Sequence, residues 1–410
     1  MAGQNPYDLT LVLLHRPPDF PPGFGLDQIV SPYPPAIFPL IAPFALPSWT
    51  IAVTAFALFN TGLWLVALIL LSRLFKLSDV GRSLTMGFCL LSYSMQSAIS
   101  LGQYSATSIS LVLIAWCLSR DVWPSDRSAV VAALGAISLA MKPQIGIVIV
   151  IVWLLERRWA LLWKAGSVYG MLTAVSVVVT LGFSGSLGIE AAYQSVVAVY
   201  QQQSNPFCCV NLRALTTPLL APGVLRGVVE AGALFAVILA LVRRLDVKAD
   251  HGVRLFAGVY VAALLPIYHR PYDLAGLVIL VFLLAVTSVR DWKWWALIPL
   301  VVLVSQPVPT LAALGTLAIP FPQDGSALAQ IFRIFVIPHS TWALLLGLVG
   351  LSAMGTGSGK NAASFSALAG TGRGGPLPRS RLWQGRRRIA LCSTPDRRWT
   401  CRGIVSHAKR

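Results

Sequence analysis

Acidic residues are scarce in this chain. It has 15 Asp and Glu in 410 positions, and all charged residues together make up only 11%. A soluble domain carries about 25%. With 56% of the chain hydrophobic, a water-soluble fold would have too much apolar surface to hide. Metal-ligand spacing is also missing: the six cysteines form no C-x-x-C pair and no Cys/His cluster, which argues against a zinc site. Cys89 and Cys117 stand in apolar runs and read as small core residues. Cys208 and Cys209 are adjacent, and a disulfide there requires a loop in an oxidising compartment. No Walker-type loop occurs. Gly23-Phe24-Gly25 is a lone Gly-x-Gly in proline-rich sequence with no strand before it, so it does not imply a nucleotide site.

What is present is long apolar sequence and a basic excess of +17. The excess is uneven. Residues 355–410 hold 12 Lys/Arg against one acid, Asp396. That segment is rich in Gly, Ser, Pro and Arg, has no apolar period and reads as disordered. It is either a solvated tail beside anionic lipid heads or the product of a shifted reading frame. Because most of the charge belongs to this tail, no nucleic acid is expected as a partner.

A helix of roughly 20 apolar residues spans a bilayer. Apolar runs fall at about 49–72, 83–100, 104–119, 128–141, 144–155, 164–183, 227–243, 253–267, 273–289, 294–315 and 332–352. The expected fold is all-α: a polytopic transmembrane helical bundle of about 11 spans. The expected organisation is an extracytoplasmic segment 1–48, a transmembrane domain 49–353 and a basic cytoplasmic tail 354–410. Alternate connections hold 14 basic residues, among them Arg73, Arg120, Arg157, Arg243 and Arg290, against six on the other side: Arg16, Lys142, Arg213, Arg226, Arg270 and Arg333. Lys and Arg concentrate on cytoplasmic loops, so the first set is placed inside. A polar 1–48 would then cross the membrane with no preceding span, and an N-terminal helix is expected upstream of Met1.

With sides assigned, the polar motifs collect at the outer face. They are Asn5-Pro6-Tyr7-Asp8, Tyr33-Pro34-Pro35, Gly102-Gln103-Tyr104, Lys142-Pro143-Gln144, a loop with Asn205, Asn211 and Arg213, and His269-Arg270-Pro271-Tyr272-Asp273. Lys142 interrupts an apolar run of helical length. It reads either as a lysine snorkelling to the interface or as a cation for a phosphate group, with Pro143 ending the helix beside it. Arg270 offers a planar fork for phosphate, and His269 is poised for proton transfer near neutral pH. Asp273 either orients His269 or caps the next helix. Tyr33, Gln103, Gln144, Asn205, Asn211, Arg213 and Tyr272 suit sugar hydroxyls, although polar loops often have this composition.

The order of these motifs, Asn5-Pro6-Tyr7-Asp8, Tyr33-Pro34-Pro35, Gly102-Gln103, Lys142-Pro143-Gln144 and His269-x-x-Tyr272-Asp273, resembles glycosyltransferase family 87. The resemblance covers about residues 3–353. It implies an integral-membrane mannosyltransferase of the GT-C type in the cell membrane. Such an enzyme takes mannose from a polyprenyl-phosphate-linked donor at the extracytoplasmic face and passes it to a glycan or glycolipid acceptor. No nucleotide sugar, cofactor or metal is implied. Lys142 and Arg270 would hold the donor phosphate, with His269 and Asp273 catalytic. The family's acidic motif lies upstream of the segment matching Asn5-Pro6-Tyr7, so the catalytic base is expected outside this chain, which is expected to be inactive or weakly active alone. A transporter or flippase for a lipid-linked or anionic solute is the other reading. Its charges would lie near the bilayer midplane in paired broken helices, whereas here they collect at one face.

Overall fold

The computed structural model describes residues 35–44, 48–100, 102–120, 127–184, 212–216, 220, 224–244, 252–265, 271–286, 298, 301–302 and 339–354. Contacts divide the chain into Met1–Lys360 and Asn361–Arg410, and every described residue lies in the first unit. Among the described residues all regular structure is helical.

Two helices are long and apolar enough to cross a membrane. One is Trp49–Leu74; the other is the Trp159–Val178 part of the helix Trp159–Ser184. Both carry large apolar side chains on exposed faces: Leu58 and Val66 on the first, Trp163 and Val178 on the second. Other apolar helices, such as the 15-residue Tyr104–Leu118 and the 11-residue Val253–Ala263, are shorter than a straight crossing needs. The expected run 83–100 is two helices, Asp79–Leu90 and Tyr93–Ser100. The chain breaks at Leu91-Ser92, where the Ser92 hydroxyl donates to the Cys89 carbonyl at 2.8 Å and the Gln96 amide donates to the Leu90 carbonyl at 2.7 Å. Most of the expected run 294–315 lies outside the described residues.

The helix Tyr104–Leu118 is the hub. Residues Ser105 to Cys117 along it are all buried. It packs against Trp49–Leu74, Ser128–Met141, Pro143–Leu155 and the 3-10 turn Pro271–Leu277. A helix buried on every side must satisfy its polar side chains internally, and this one does so across helices. Thr107 donates to the Asn60 side-chain oxygen at 2.6 Å, and the Ser108 and Ser138 hydroxyls meet at 2.7 Å. Such bonds join helices where apolar contact alone gives little preference.

Ser128–Met141 and Pro143–Leu155 form a tight antiparallel hairpin around one residue. Lys142 is extended, with φ −150° and ψ 94°. Pro143 explains this: proline disfavours helix in the residue before it and is itself at home in the first helical turn. The two arms touch through glycines. A Cβ on Gly146 would lie 2.3 Å from the Leu139 Cα, and one on Gly135 would lie 2.6 Å from the Trp153 ring.

At the far end of the hub helix the charges gather. The Glu156 carboxylate is ion-paired with Arg120 and lies 2.8 Å from Arg158 Nε. Arg120 sits over the Trp116 ring at 5.2 Å. Its guanidinium also presses on Gly252, whose φ is +73°. Burial lowers the Arg120 pKa from its ordinary value, and the neighbouring Glu156 opposes that shift. Arg120, Glu156 and Arg158 therefore form a clasp between the ends of three helices.

Candidate functional site

The opposite end of the hub helix is built by three chain breaks. The first ends the helix Tyr93–Ser100. Gly102 adopts φ +62°, its N–H donates to Ile99 and the Gln103 N–H donates to Ala98. This is the paired closure that a left-handed residue makes at a helix C-terminus. It sets Gln103 immediately before the hub helix and Ser105 in its first turn. The second break is Lys142 at the tip of the hairpin. The third is the 3-10 turn Pro271–Leu277, which precedes the helix Val278–Val286 and carries Tyr272 and Asp273.

These breaks bring residues far apart in sequence into one buried cluster. Lys142 Nζ lies 2.6 Å from Asp273 Oδ1 and 2.6 Å from Ser105 Oγ. Ser105 Oγ in turn donates to Asp273 Oδ1 at 2.6 Å, closing a triangle. Lys142 is only 3% exposed and Asp273 0%. The Lys142 ammonium also stands 5.0 Å from the centroid of the Tyr272 ring, within the range of a cation–π contact. The Tyr272 hydroxyl donates to Gln103 Oε1 at 3.1 Å. From below, the Tyr260 hydroxyl donates to the main-chain carbonyl of Asp273 at 2.6 Å.

Lys142, Gln103, Tyr272 and Asp273, four of the residues singled out from the sequence, are therefore neighbours. Asp273, placed with His269 as catalytic or as a cap, has its carboxylate engaged by Lys142 and Ser105 in the structure. Gln144 lies in the first turn of Pro143–Leu155 and is half-buried. Arg213 lies on the short helix Leu212–Thr216, and its side chain is outside the description. Tyr33, Asn205, Asn211, His269 and Arg270 lie outside the described residues. Sequence reasoning missed Ser105 and Tyr260. Ser105 reads as one of several hydroxyls in "YSATSIS", and Tyr260 as one more aromatic in an apolar run. Among the described residues, no three of His, Cys, Asp or Glu come together in a way that could hold a metal ion.

A buried ammonium and carboxylate are costly to desolvate and are kept only with good geometry and further hydrogen bonds. Here both conditions hold. The cluster holds one ammonium at a defined point at the end of the hub helix, its charge balanced by the Asp273 carboxylate, beside an aromatic face and a side-chain amide.

A family model described as "Glycosyltransferase family 87" matches residues 32–267, more than half of the 410 residues. The matched stretch contains Gln103, Ser105, Lys142 and Tyr260 and ends just short of His269. No curated protein matches the chain, and no solved structure does.

Proposed function

The chain belongs to glycosyltransferase family 87, and on that premise we propose that it transfers a hexose, mannose in our reading, from a polyprenyl-phosphate donor to a glycan or glycolipid acceptor outside the cytoplasm. The observation that carries this reading is the buried Lys142–Asp273–Ser105 triangle with Tyr272 and Gln103 beside it. A lipid-linked donor lies in the bilayer with its phosphosugar at the surface, so the protein must meet it at one end of a helical bundle. The cluster stands at such an end. The hub helix has 15 residues, so the cluster is separated from the Arg120–Glu156–Arg158 clasp by about 22 Å of helix at 1.5 Å per residue. Basic residues concentrate on the clasp side in the chain as a whole, which favours placing the clasp in the cytoplasm and the cluster outside. The exposed apolar faces of Trp49–Leu74 and Trp159–Ser184 suit lipid, and a multi-pass arrangement in the cell membrane accommodates all of these features.

In the proposed reaction an acceptor hydroxyl oxygen forms a bond to the sugar C1 as the bond from C1 to the phosphate oxygen breaks. The bonding pair leaves with the polyprenyl phosphate, and the hydroxyl proton passes to a base. Negative charge therefore grows on the phosphate in the transition state, and a fixed cation beside it lowers the barrier. Lys142 supplies that cation, with Asp273 and Ser105 holding its ammonium. Arg270 adds a second charge and His269 contacts the phosphate or the sugar. Tyr272 and Gln103 face the sugar, with Tyr33, Gln144, Asn205, Asn211 and Arg213 as further contacts.

The test is transfer itself. Membranes containing the chain are incubated with radiolabelled polyprenyl phosphomannose or, separately, with a labelled nucleotide sugar in the presence of an inhibitor of lipid-donor synthesis. Label entering a glycan or glycolipid from the lipid donor alone, at a low rate, is the expected result. Use of the nucleotide sugar with the lipid donor inert would overturn the donor assignment.

A further inference from the structure

The turn carrying Asp273 is gripped from a second side. Tyr260, on the helix Val253–Ala263, is 1% exposed, and its hydroxyl donates to the Asp273 carbonyl at 2.6 Å. Its ring stacks with Phe256 at 6.3 Å between centroids, and Phe256 lies 4.8 Å from the Trp116 ring of the hub helix. The turn is shaped to receive this side chain. A Cβ on Gly276 would lie 2.3 Å from the Tyr260 oxygen and 2.1 Å from the ring carbon bearing it, so only glycine allows the backbone so close. The position of Asp273 is thus set from both faces: Lys142 and Ser105 hold its carboxylate, and Tyr260 holds its carbonyl.

We propose that Tyr260 is a positioning residue for donor-phosphate binding. Its hydroxyl fixes the turn Pro271–Leu277, Asp273 on that turn fixes the Lys142 ammonium, and the ammonium meets the phosphate. The inference rests on the reading of Lys142 given above. It assigns Tyr260 a role in function although its hydroxyl is spent on a backbone carbonyl. The physical basis is the length of the lever: Lys142 and Asp273 are paired at 2.6 Å, and a displacement of about 1 Å is enough to spoil a positioned charge.

The bland alternative is that Tyr260 merely satisfies its own buried hydroxyl, as buried tyrosines do. Binding to the purified full-length chain separates the two, because it does not require a complete catalytic apparatus. The probes are farnesyl phosphate and farnesol, which differ in the phosphate alone. The proteins are the wild type, Lys142→Ala, Tyr260→Phe and the double variant. The expected result is that Lys142→Ala weakens farnesyl phosphate binding about 10-fold or more, the scale of losing a charged contact. Tyr260→Phe should weaken it about 5-fold, the scale of one hydrogen bond, while leaving farnesol binding unchanged. The double variant should bind no worse than Lys142→Ala, because both changes act through the same ammonium. Three results overturn the proposal while leaving Lys142 in place: wild-type binding by Tyr260→Phe, equal loss for both probes, or additive loss in the double variant. Wild-type binding of farnesyl phosphate by Lys142→Ala would instead remove the donor-phosphate reading, and this inference with it.

Discussion

Removing one partner of the Lys142–Asp273 pair should be far more damaging than removing both. Asp273→Leu strands an ammonium that is 3% exposed, with its contact at 2.6 Å to the carboxylate lost. It also deprives the Ser105 hydroxyl of its acceptor. Leaving a buried charge uncompensated costs about 3–5 kcal/mol, and the orphaned serine adds to the same loss. Lys142→Met alone strands the carboxylate and should cost a similar amount. The double variant Lys142→Met/Asp273→Leu removes both of these charges together, and such replacements are often neutral or better for stability. We expect it to recover to within about 1–2 kcal/mol of wild type. Denaturant or thermal unfolding of the three variants in one detergent measures this. The function should not follow the stability: the double variant, though folded, should have lost its preference for farnesyl phosphate over farnesol. Equal destabilisation by single and double variants would mean that the two side chains are not coupled. A stable double variant that keeps full phosphate preference would reduce the pair to a structural tie.

Other expectations follow from single contacts. Tyr272→Phe removes the hydroxyl that reaches Gln103 at 3.1 Å but keeps the ring beside Lys142, so it should raise the donor KM about 5-fold with less change than Tyr272→Leu, which loses the cation–π contact as well; the reverse order would break the assignment. Gly146→Ala places a methyl where the Leu139 backbone stands and should destabilise the hairpin by about 1–3 kcal/mol, read as a lowered unfolding midpoint. Arg157 holds φ +57° at a helix end, a conformation costing a non-glycine residue about 1 kcal/mol. Arg157→Gly should therefore be neutral to stabilising, and a clear loss of stability in the same unfolding assay would show that its side chain makes a contact worth more than the strain.

The helix boundaries that matter most were open to reading because proline and glycine mark them. Pro143 inside an apolar run dictates a break at Lys142, and Gly102 before Gln103 dictates a stop. Ser105 and Tyr260 were not legible, because nothing local distinguishes them from other hydroxyls and aromatics in buried helices. The pairing of Lys142 with Asp273 spans 131 residues. Two lone charges in separate apolar runs invite such a match, but Asp273 has His269 as a nearer neighbour in sequence, and the reading stopped at that neighbour. The break at Leu91-Ser92 was hidden for a different reason. Its hydrogen bonds come from Ser92 and Gln96 to nearby carbonyls, and neither residue type ends a helix by propensity alone. The Arg120–Glu156–Arg158 clasp was invisible because Arg120 lies in one short connection and Glu156 and Arg158 in another, 36 residues on from Arg120 to Glu156.

The central claim is that this family 87 glycosyltransferase uses a phosphate-linked lipid donor held by Lys142. The most direct measurement is the equilibrium binding of polyprenyl phosphomannose to equal amounts of purified wild type and Lys142→Ala, which needs no turnover. The account predicts saturable binding by wild type and, for Lys142→Ala, a Kd raised about 10-fold or more, the scale of a lost charged contact. Identical binding curves for the two proteins would contradict it.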